Sequence, residues 1–405
     1  MKKKIKTYIS AGILLPFIAA ALAGLALVSC DKEESEGGTP EIFYVRVTDP
    51  LKSDSLVTHA FMGNTIAVIG ENLQTVKELW FNDQKAILNT SFITSTCIIV
   101  TVPDEIPETV TNELIMITYD SKQVFYPFGV DVPAPLLQSM LCEYVTDGGT
   151  AVIIGNYFID DPNVPLQVFF PGNVEGEVLG VELNRLEVKV PEGVGVGPLV
   201  VKSIYGSTRS SFYFRDDRGI FLNFDTKMGA GWRPGKTQSA SPDGISGKYV
   251  ALRGSLANDW DWVEDDLAVE LWGQAAGLPA GPLFEGDPSK MAMKFEAYVV
   301  NEWSGGWMQF IFSPHSTANN SVNSNDALAR GFWRPWEETG SYITEGWVTV
   351  TIPLADFKYT HNASANNLSL VYPDNCGSLT IFVWGPVPTA CNLFICVDNV
   401  RVVPM

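Results

Sequence analysis

The chain has 405 residues, 46% of them hydrophobic and 18% charged, with 27 Lys and Arg against 46 Asp and Glu. Without the four lysines that precede Cys30, 23 basic residues face 46 acidic ones, so phosphate backbones are repelled and nucleic acid is excluded as a partner. About two to four domains fit this length.

The N-terminus sets the location. Lys2, Lys3, Lys4 and Lys6 form a basic leader, an apolar stretch runs from Ile13 to Val28, and Leu27-Val28-Ser29-Cys30 closes it. Residues 1–29 therefore read as a signal peptide whose end resembles the lipobox of bacterial lipoproteins, with Cys30 as the lipid-bearing first residue of the mature chain. The alternative is an uncleaved membrane helix, since about 16 apolar residues approach the lower limit of a span. Small residues and a cysteine at the cut favour cleavage. Residues 30–40 form a flexible acidic tether, with Asp31, Glu33, Glu34 and Glu36 before Gly37-Gly38, and resemble the signal that sends lipoproteins of Bacteroides-type bacteria to the cell exterior. A chain held in the outer membrane by its lipid and facing outward is predicted.

Two stretches then repeat each other. Thr65-Ile66-Ala67-Val68-Ile69-Gly70-Glu71-Asn72-Leu73, Leu79-Trp80-Phe81-Asn82 and Ile99-Val100-Thr101-Val102-Pro103 recur in outline as Thr150-Ala151-Val152-Ile153-Ile154-Gly155-Asn156-Tyr157-Phe158, Val168-Phe169-Phe170-Pro171 and Val188-Lys189-Val190-Pro191. This period is one small β-domain. Alternation in Leu186-Glu187-Val188-Lys189-Val190 marks a strand with one wet face, and Gly70 and Gly155 are expected at turns closed to a Cβ. The pattern resembles the IPT/TIG family of immunoglobulin-like domains over residues 41–132 and 133–215, the second copy lacking a residue after Gly155. Such domains look like spacers, and Pro133-Ala134-Pro135 would stiffen the junction between them.

After the charged turn Asp216-Asp217-Arg218-Gly219 the composition shifts toward Trp, Gly and Asn; ten of the eleven tryptophans lie beyond residue 231. Runs such as Lys294–Val299, Gly346–Ile352 and Leu379–Trp384 are β-rich, and Phe394–Val402 reads as a closing core strand, so residues 216–405 are predicted as one larger jelly-roll-like sandwich. The fold class is all-β: tandem immunoglobulin-like sandwiches followed by this module. Indole faces suit sugar C–H faces. Trp303 and Trp307 flank a Gly-Gly turn, while Trp333, Arg334 and Trp336 share a loop constrained by Pro335. Trp303, Trp333, Trp336, Trp307 and Trp262 are therefore the candidate stacking rings, Trp260 and Trp262 sharing packing and binding between them. Asn301, Glu302, Arg334 and Glu337 are candidates for hydroxyl edges. Trp272, Trp347 and Trp384 lie in strand-like runs and are expected in the core; Trp232 is left open.

Cys97, Cys142, Cys376, Cys391 and Cys396 lack metal-site spacing, and buried thiols are expected, with a bridge from Cys376 to Cys391 or Cys396 as the alternative. No cofactor is predicted. Asp225, Asp259, Asp261 and Asp265 offer oxygen ligands for calcium but in no EF-hand pattern, so solvated acids are expected.

Lipobox, tether, tandem IPT/TIG-like domains and a module carrying Phe221-Leu222-Asn223-Phe224-Asp225, Trp303-Ser304-Gly305-Gly306-Trp307-Met308-Gln309 and Trp333-Arg334-Pro335-Trp336 together resemble the surface glycan-binding proteins B of Bacteroides polysaccharide-utilisation loci. The resemblance implies a non-catalytic protein that binds a β-glucan, such as xyloglucan, a mixed-linkage or a β-1,3-glucan. It also implies service to a TonB-dependent importer beside a starch-binding-type lipoprotein. Two rival classes stand: a glycoside hydrolase, which needs two carboxylates about 5–5.5 Å apart for retention or about 6.5–9.5 Å for inversion, drawn from Glu264, Asp265, Asp266, Glu302, Glu337 or Glu338, and an adhesin acting through the immunoglobulin-like domains.

Overall fold

The computed structural model describes residues 38–52, 54–271, 282–314, 322–365, 371, 373 and 376–405. Cys30 and Trp272, and the side chain of Trp232, lie outside the described residues. The chain divides into two compact units, Met1–Val132 and Pro133–Met405.

In the first unit two antiparallel four-stranded sheets enclose one core. One runs Leu56–Val57, Glu41–Val47, Thr65–Glu71, Cys97–Thr101; the other runs Gln84–Lys85, Val76–Phe81, Glu113–Thr118, Gln123–Pro127. Period-2 alternation turns Leu114 and Met116 inward against Leu79 and Phe81.

The second unit begins with a single seven-stranded sheet that folds over its own core. Its long strand Val174–Glu182 serves both halves, pairing through Val174–Gly176 with Phe170–Val168 and through Glu177–Glu182 with Lys189–Arg185. The bend needs Gly176, where a Cβ would sit 2.7 Å from both Phe170 and Val188.

Both repeats share one backbone device, and it corrects the expected role of their glycines. Gly70 and Gly155 lie in strands, not turns; a Cβ on either would stand 1.9 Å from a carbonyl oxygen of the neighbouring strand, that of Glu41 or Leu136, where a bulge brings the chains together. The left-handed residue comes two positions later, Asn72 at φ 56 and Tyr157 at φ 59, followed by the buried Leu73 or Phe158. Gly70-Glu71-Asn72-Leu73 thus matches Gly155-Asn156-Tyr157-Phe158 without the gap expected from sequence.

Beyond residue 219 two antiparallel sheets face each other. The first runs Lys236–Gln238, Tyr249–Leu256, Cys391–Pro404, Met291–Val299, Val348–Pro353, with Ile220–Leu222 also on Cys391–Pro404. The second runs Ala230–Arg233, Leu267–Glu270, Ser378–Trp384, Trp307–Ser313, Ala329–Trp333. Phe295, Phe310, Phe312, Ile381 and Ile395 lie in the core between them.

The outer face of the first sheet is covered too. Its strand Met291–Val299 is buried along almost its whole length, because Lys294, which points away from the core, meets the preceding sandwich directly and Glu296 on the same face is linked to it through Arg401 and Thr349. Arg401 donates to Glu296 at 2.8 and 2.9 Å and to Glu143 of that sandwich at 2.7 Å, while Lys294 also pairs with Glu143. Thr349 accepts from the Glu143 backbone N–H at 2.7 Å and donates from its own to the Leu141 carbonyl at 2.9 Å. Two carboxylates and two cations, all buried, balance in charge across the junction.

Cys391 and Cys396 stand as free thiols, so the alternative bridge does not form; burial pushes the Cys142 and Cys396 thiols up to about 12. Asp225 accepts from the Lys248 N–H, Asp261 from those of Ala257 and Asn258, Asp259 from that of Val387, and Asp265 pairs with Lys236, four separate duties. Trp347 belongs to a small cluster on the outer face of the first sheet with Tyr249 and Tyr298.

Asp398 yields a pH prediction. It is buried, accepts from Ser246 and the Asn399 N–H, and has no ion-pair partner among the described residues; desolvation pushes its carboxyl up to about 7. A carboxyl raised in the folded state favours folding while protonated, so its contribution fades as pH climbs through about 7. Asp398→Asn should therefore melt higher than wild type at pH 8 and match it near pH 4; calorimetry at the two pH values checks this.

Candidate functional site

The second sheet of the C-terminal sandwich has an outer face of a different kind. Pairing places Trp307 opposite Trp384, and Gln309 opposite both Phe382 and Phe332. Since alternate residues share a face, Trp307, Gln309, Phe332, Phe382 and Trp384 point outward, whereas Met308, Trp333 and Val383 point inward.

Loops extend this face into a row of rings. Tyr359 meets Phe332 at 5.6 Å between centroids, Phe332 meets Trp307 at 5.4 Å, Trp307 meets Trp260 at 5.9 Å, and Trp260 meets Trp384 at 5.0 Å. His361 then stacks on Trp384 at 5.7 Å with 20° between planes. Beside Trp384, bridged to it through the backbone, stands Trp262, 39% exposed with the Arg233 guanidinium 5.8 Å from its ring. Trp260 takes φ 64, a left-handed conformation that a bulky residue adopts only when its surroundings hold it there. Its carbonyl accepts from the Trp384 indole at 3.1 Å, its N–H donates to Gly385, and Asp261 caps the same turn. Those N–H bonds, Ala257 first, hold the Asp261 carboxyl below the usual carboxylate range.

Two charge pairs border the row. Glu337 accepts from the Trp307 indole at 2.7 Å and pairs with Arg334 at 3.2 Å, and Arg334 lies 5.4–6.0 Å from the ring centres of Trp307, Phe332 and Tyr359. Asp326 accepts from the His361 backbone at 2.6 Å and pairs with its ring at 2.9 Å. Burial opposes ionisation of Asp326, yet the His361 N–H and imidazole hold it below the usual range. Beneath the row, Gln309 donates to the Trp384 carbonyl at 2.7 Å and accepts from the buried Arg330, which also reaches the Asn323 carbonyl at 3.0 Å. Desolvation lowers the Arg330 pKa to about 10 without discharging it near neutrality.

The consecutive contacts of the row are edge-to-face, with 66–82° between ring planes, so the surface offers ring edges and partly covered apolar faces bordered by paired donors and acceptors. Over 91% of its length and 99% of the other chain, this protein shares 30% identity and a TM-score of 0.71 with the surface glycan-binding protein PbSGBP-B from Prevotella bryantii. The chain belongs to the surface glycan-binding protein B family. The family description "Surface glycan-binding protein B xyloglucan binding domain" matches residues 214–404. An IPT/TIG domain-containing protein of Bacteroides ovatus is 36% identical over 153 residues, 36% of this chain and 30% of that relative, so the match spans about a third of the curated relative's length. SGBP-B from a complex xyloglucan utilization locus in Bacteroides uniformis is 18% identical with a TM-score of 0.49, covering 91% of this chain and all of that one.

In this member of the surface glycan-binding protein B family several of the rings chosen from sequence are not on the surface. Trp303 is 0% exposed and donates to the Gly305 and Gly306 carbonyls at 2.7 and 3.1 Å; Trp336 is 6% exposed and donates to Gly306 at 2.8 Å. Both are core residues, not surface rings, because the end of the sandwich needs large apolar side chains to close it. Trp333 points inward onto Trp303, Phe295 and Tyr342, and its neighbour Phe332 takes the outward place. Trp307 belongs to the row but is only 6% exposed, covered by its neighbours. Trp262 alone of the five is substantially open. Arg334 and Glu337 are engaged with each other and with Trp307. Asn301 and Glu302 lie elsewhere, in a hollow at the sandwich end.

Trp384, expected in the core, turns outward into the row, which also takes in Phe332, Tyr359 and His361, residues the sequence had not singled out. Strand parity relative to Trp333 was the available signal for Phe332. Tyr359 and His361 come from a loop whose placement no local pattern encodes.

Proposed function

We propose that this protein is a non-catalytic lipoprotein of the cell exterior that binds a β-glucan along the aromatic row and passes it to an outer-membrane importer. The row from Tyr359 to His361, continued by the exposed Trp262, carries this reading: sugar rings stack on indole faces, each contact contributing about 1–3 kcal/mol if it resembles other ring-on-aromatic stacking. Membership of the family and the domain match over residues 214–404 support it. Xyloglucan and mixed-linkage glucan are the first ligands to test, the former named in the matching domain's description. Paired acids support binding over hydrolysis, since Glu337 is held by Arg334 and the Trp307 indole, and Asp326, hydrogen-bonded to His361, is pushed away from the raised pKa that a general acid needs. Lipidation at Cys30 and the acidic tether place the protein on the outer surface in this reading.

Affinity electrophoresis of the full chain against xyloglucan, mixed-linkage glucan, β-1,3-glucan and starch tests it, with retardation expected on at least one β-glucan and not on starch. Migration unaltered by every β-glucan, or new reducing ends released in the same samples, would overturn it. Cys30→Ser should release the protein from the membrane fraction.

A further inference from the structure

We propose that the hollow at the end of the C-terminal sandwich is a second glycan subsite, taking the continuation of the neutral polysaccharide whose neighbouring rings lie on the aromatic row. This rests on the glycan-binding reading above. The hollow has a volume of about 580 Å³ and is lined by Asn301, Glu302, Ser304, Ser341, Thr389 and Asn392. Neither Asn301 nor Glu302 touches the row, although both share a loop with Trp307.

The walls are fixed before any ligand arrives. Asn301 donates across the hollow to the Asn392 carbonyl at 3.0 Å, and Ser304 donates to the Thr389 carbonyl at 3.3 Å. Trp303 and Tyr342 exchange two backbone bonds of 2.9 Å, and the Gly306 N–H reaches Pro386 at 2.7 Å. Gly305 packs so closely on the loop opposite that a Cβ would meet Val387 at 2.9 Å. Three loops are therefore tied together around an open space, and their rigidity spares a ligand the entropy of ordering them.

Position links the hollow to the row. Arg334 borders the rings, Gly340 and Ser341 border the hollow, and along the chain only Pro335 and the single turn Trp336–Thr339 lie between, the turn being about 6 Å long at 1.5 Å per residue. The buried Trp336 indole pins that turn to Gly306. A chain leaving the row across this turn enters the hollow.

The lining chooses the ligand class. Amides and hydroxyls both donate and accept, as sugar hydroxyls do. Asn392 accepts from Ser255 through its amide oxygen, which leaves its NH2 to donate, and Asn301, whose NH2 is engaged, keeps its amide oxygen to accept. Among the described residues no Lys or Arg lines the space, so an anionic ligand finds no counter-charge, and one carboxylate is too few to hold a cation. Without an aromatic ring the hollow offers no stacking face. Its bonds replace bonds to water at modest net gain, so it sets how chain length is read and leaves anchoring to the row.

The test is calorimetric titration of the full chain with oligosaccharides of increasing length cut from whichever β-glucan binds. Ala390→Trp fills the hollow, and the double variant Asn301→Ala, Glu302→Ala strips its polar groups without filling it. Wild type should gain affinity as the oligosaccharide outgrows the row. Both variants should lose that gain, about tenfold for the longest ligand, and bind the shortest ligand as wild type does. Equal binding of long oligosaccharides by wild type and both variants, or equal weakening for all lengths, would overturn the subsite. Should Ala390→Trp melt below wild type, the double variant decides. Trp262→Ala run in parallel separates the two readings: if it binds every length like wild type, the aromatic row has failed and not the hollow.

Discussion

Trp262→Ala in the full chain will weaken β-glucan binding by about tenfold or more while the melting temperature stays within error of wild type. Its ring is the most open of the described indoles, so removing it deletes a stacking face, a loss of about 1–3 kcal/mol, and leaves little cavity behind. Trp303→Ala will do the reverse. That side chain is wholly enclosed and both its indole bonds end on backbone carbonyls, so truncation costs about 3–5 kcal/mol of stability. Trp336→Ala should resemble it. Calorimetry for unfolding and titration for binding, run on the same samples, separate the classes. A stable Trp303→Ala protein without affinity, or a Trp262→Ala protein of full affinity, would return the binding surface to the Gly-Gly turn where sequence had placed it.

Cutting the chain at residue 214, or changing Glu143 to Ala within it, will destabilise the C-terminal sandwich by about 3–5 kcal/mol. Glu143→Ala removes the carboxylate that Arg401 and Lys294 share while both cations stay buried with Glu296 as the remaining carboxylate, whereas the cut also strips the cover from that face of the sheet. Residues 133–405 should unfold in one calorimetric transition, and residues 214–405 should melt well below it. A fragment 214–405 as stable as the longer piece would show the junction to be incidental. The second sandwich is thus more than the spacer its sequence suggested. It covers the outer face of one sheet, while the aromatic row occupies the outer face of the opposite sheet, so the rings are turned away from it.

Architecture was legible because it depends on local periodicity. Alternation in Leu186–Val190 and in Glu113–Thr118 reports faces directly, and the recurrence of Gly70 as Gly155 marks the repeat, although both glycines lie in strands and not at turns. Even there the cause differed, since a one-residue gap assumed after Gly155 vanishes once Tyr157 is seen in the left-handed place of Asn72. Individual rings were less legible. Phe332-Trp333 is outward then inward, a choice of parity that depends on pairing with Met308 and Gln309, and no property of the two residues announces it. A Gly-Gly turn flanked by tryptophans looked exposed because glycine loops usually lie at surfaces, whereas here the glycines let backbone approach closely enough to bury Trp303.

By itself the sequence determined an all-β chain with two related sandwiches and a Trp-rich third, and a charge that repels nucleic acid. These follow from side-chain period and composition, which act within a few residues. Only the tertiary structure decided which indoles meet water, that Glu143 completes a charge cluster 258 positions before Arg401, and that Tyr359 and His361 close the row. Exposure and pairing of this kind depend on what packs from distant parts of the chain, so equal residues in similar local settings end on opposite sides of the same sheet.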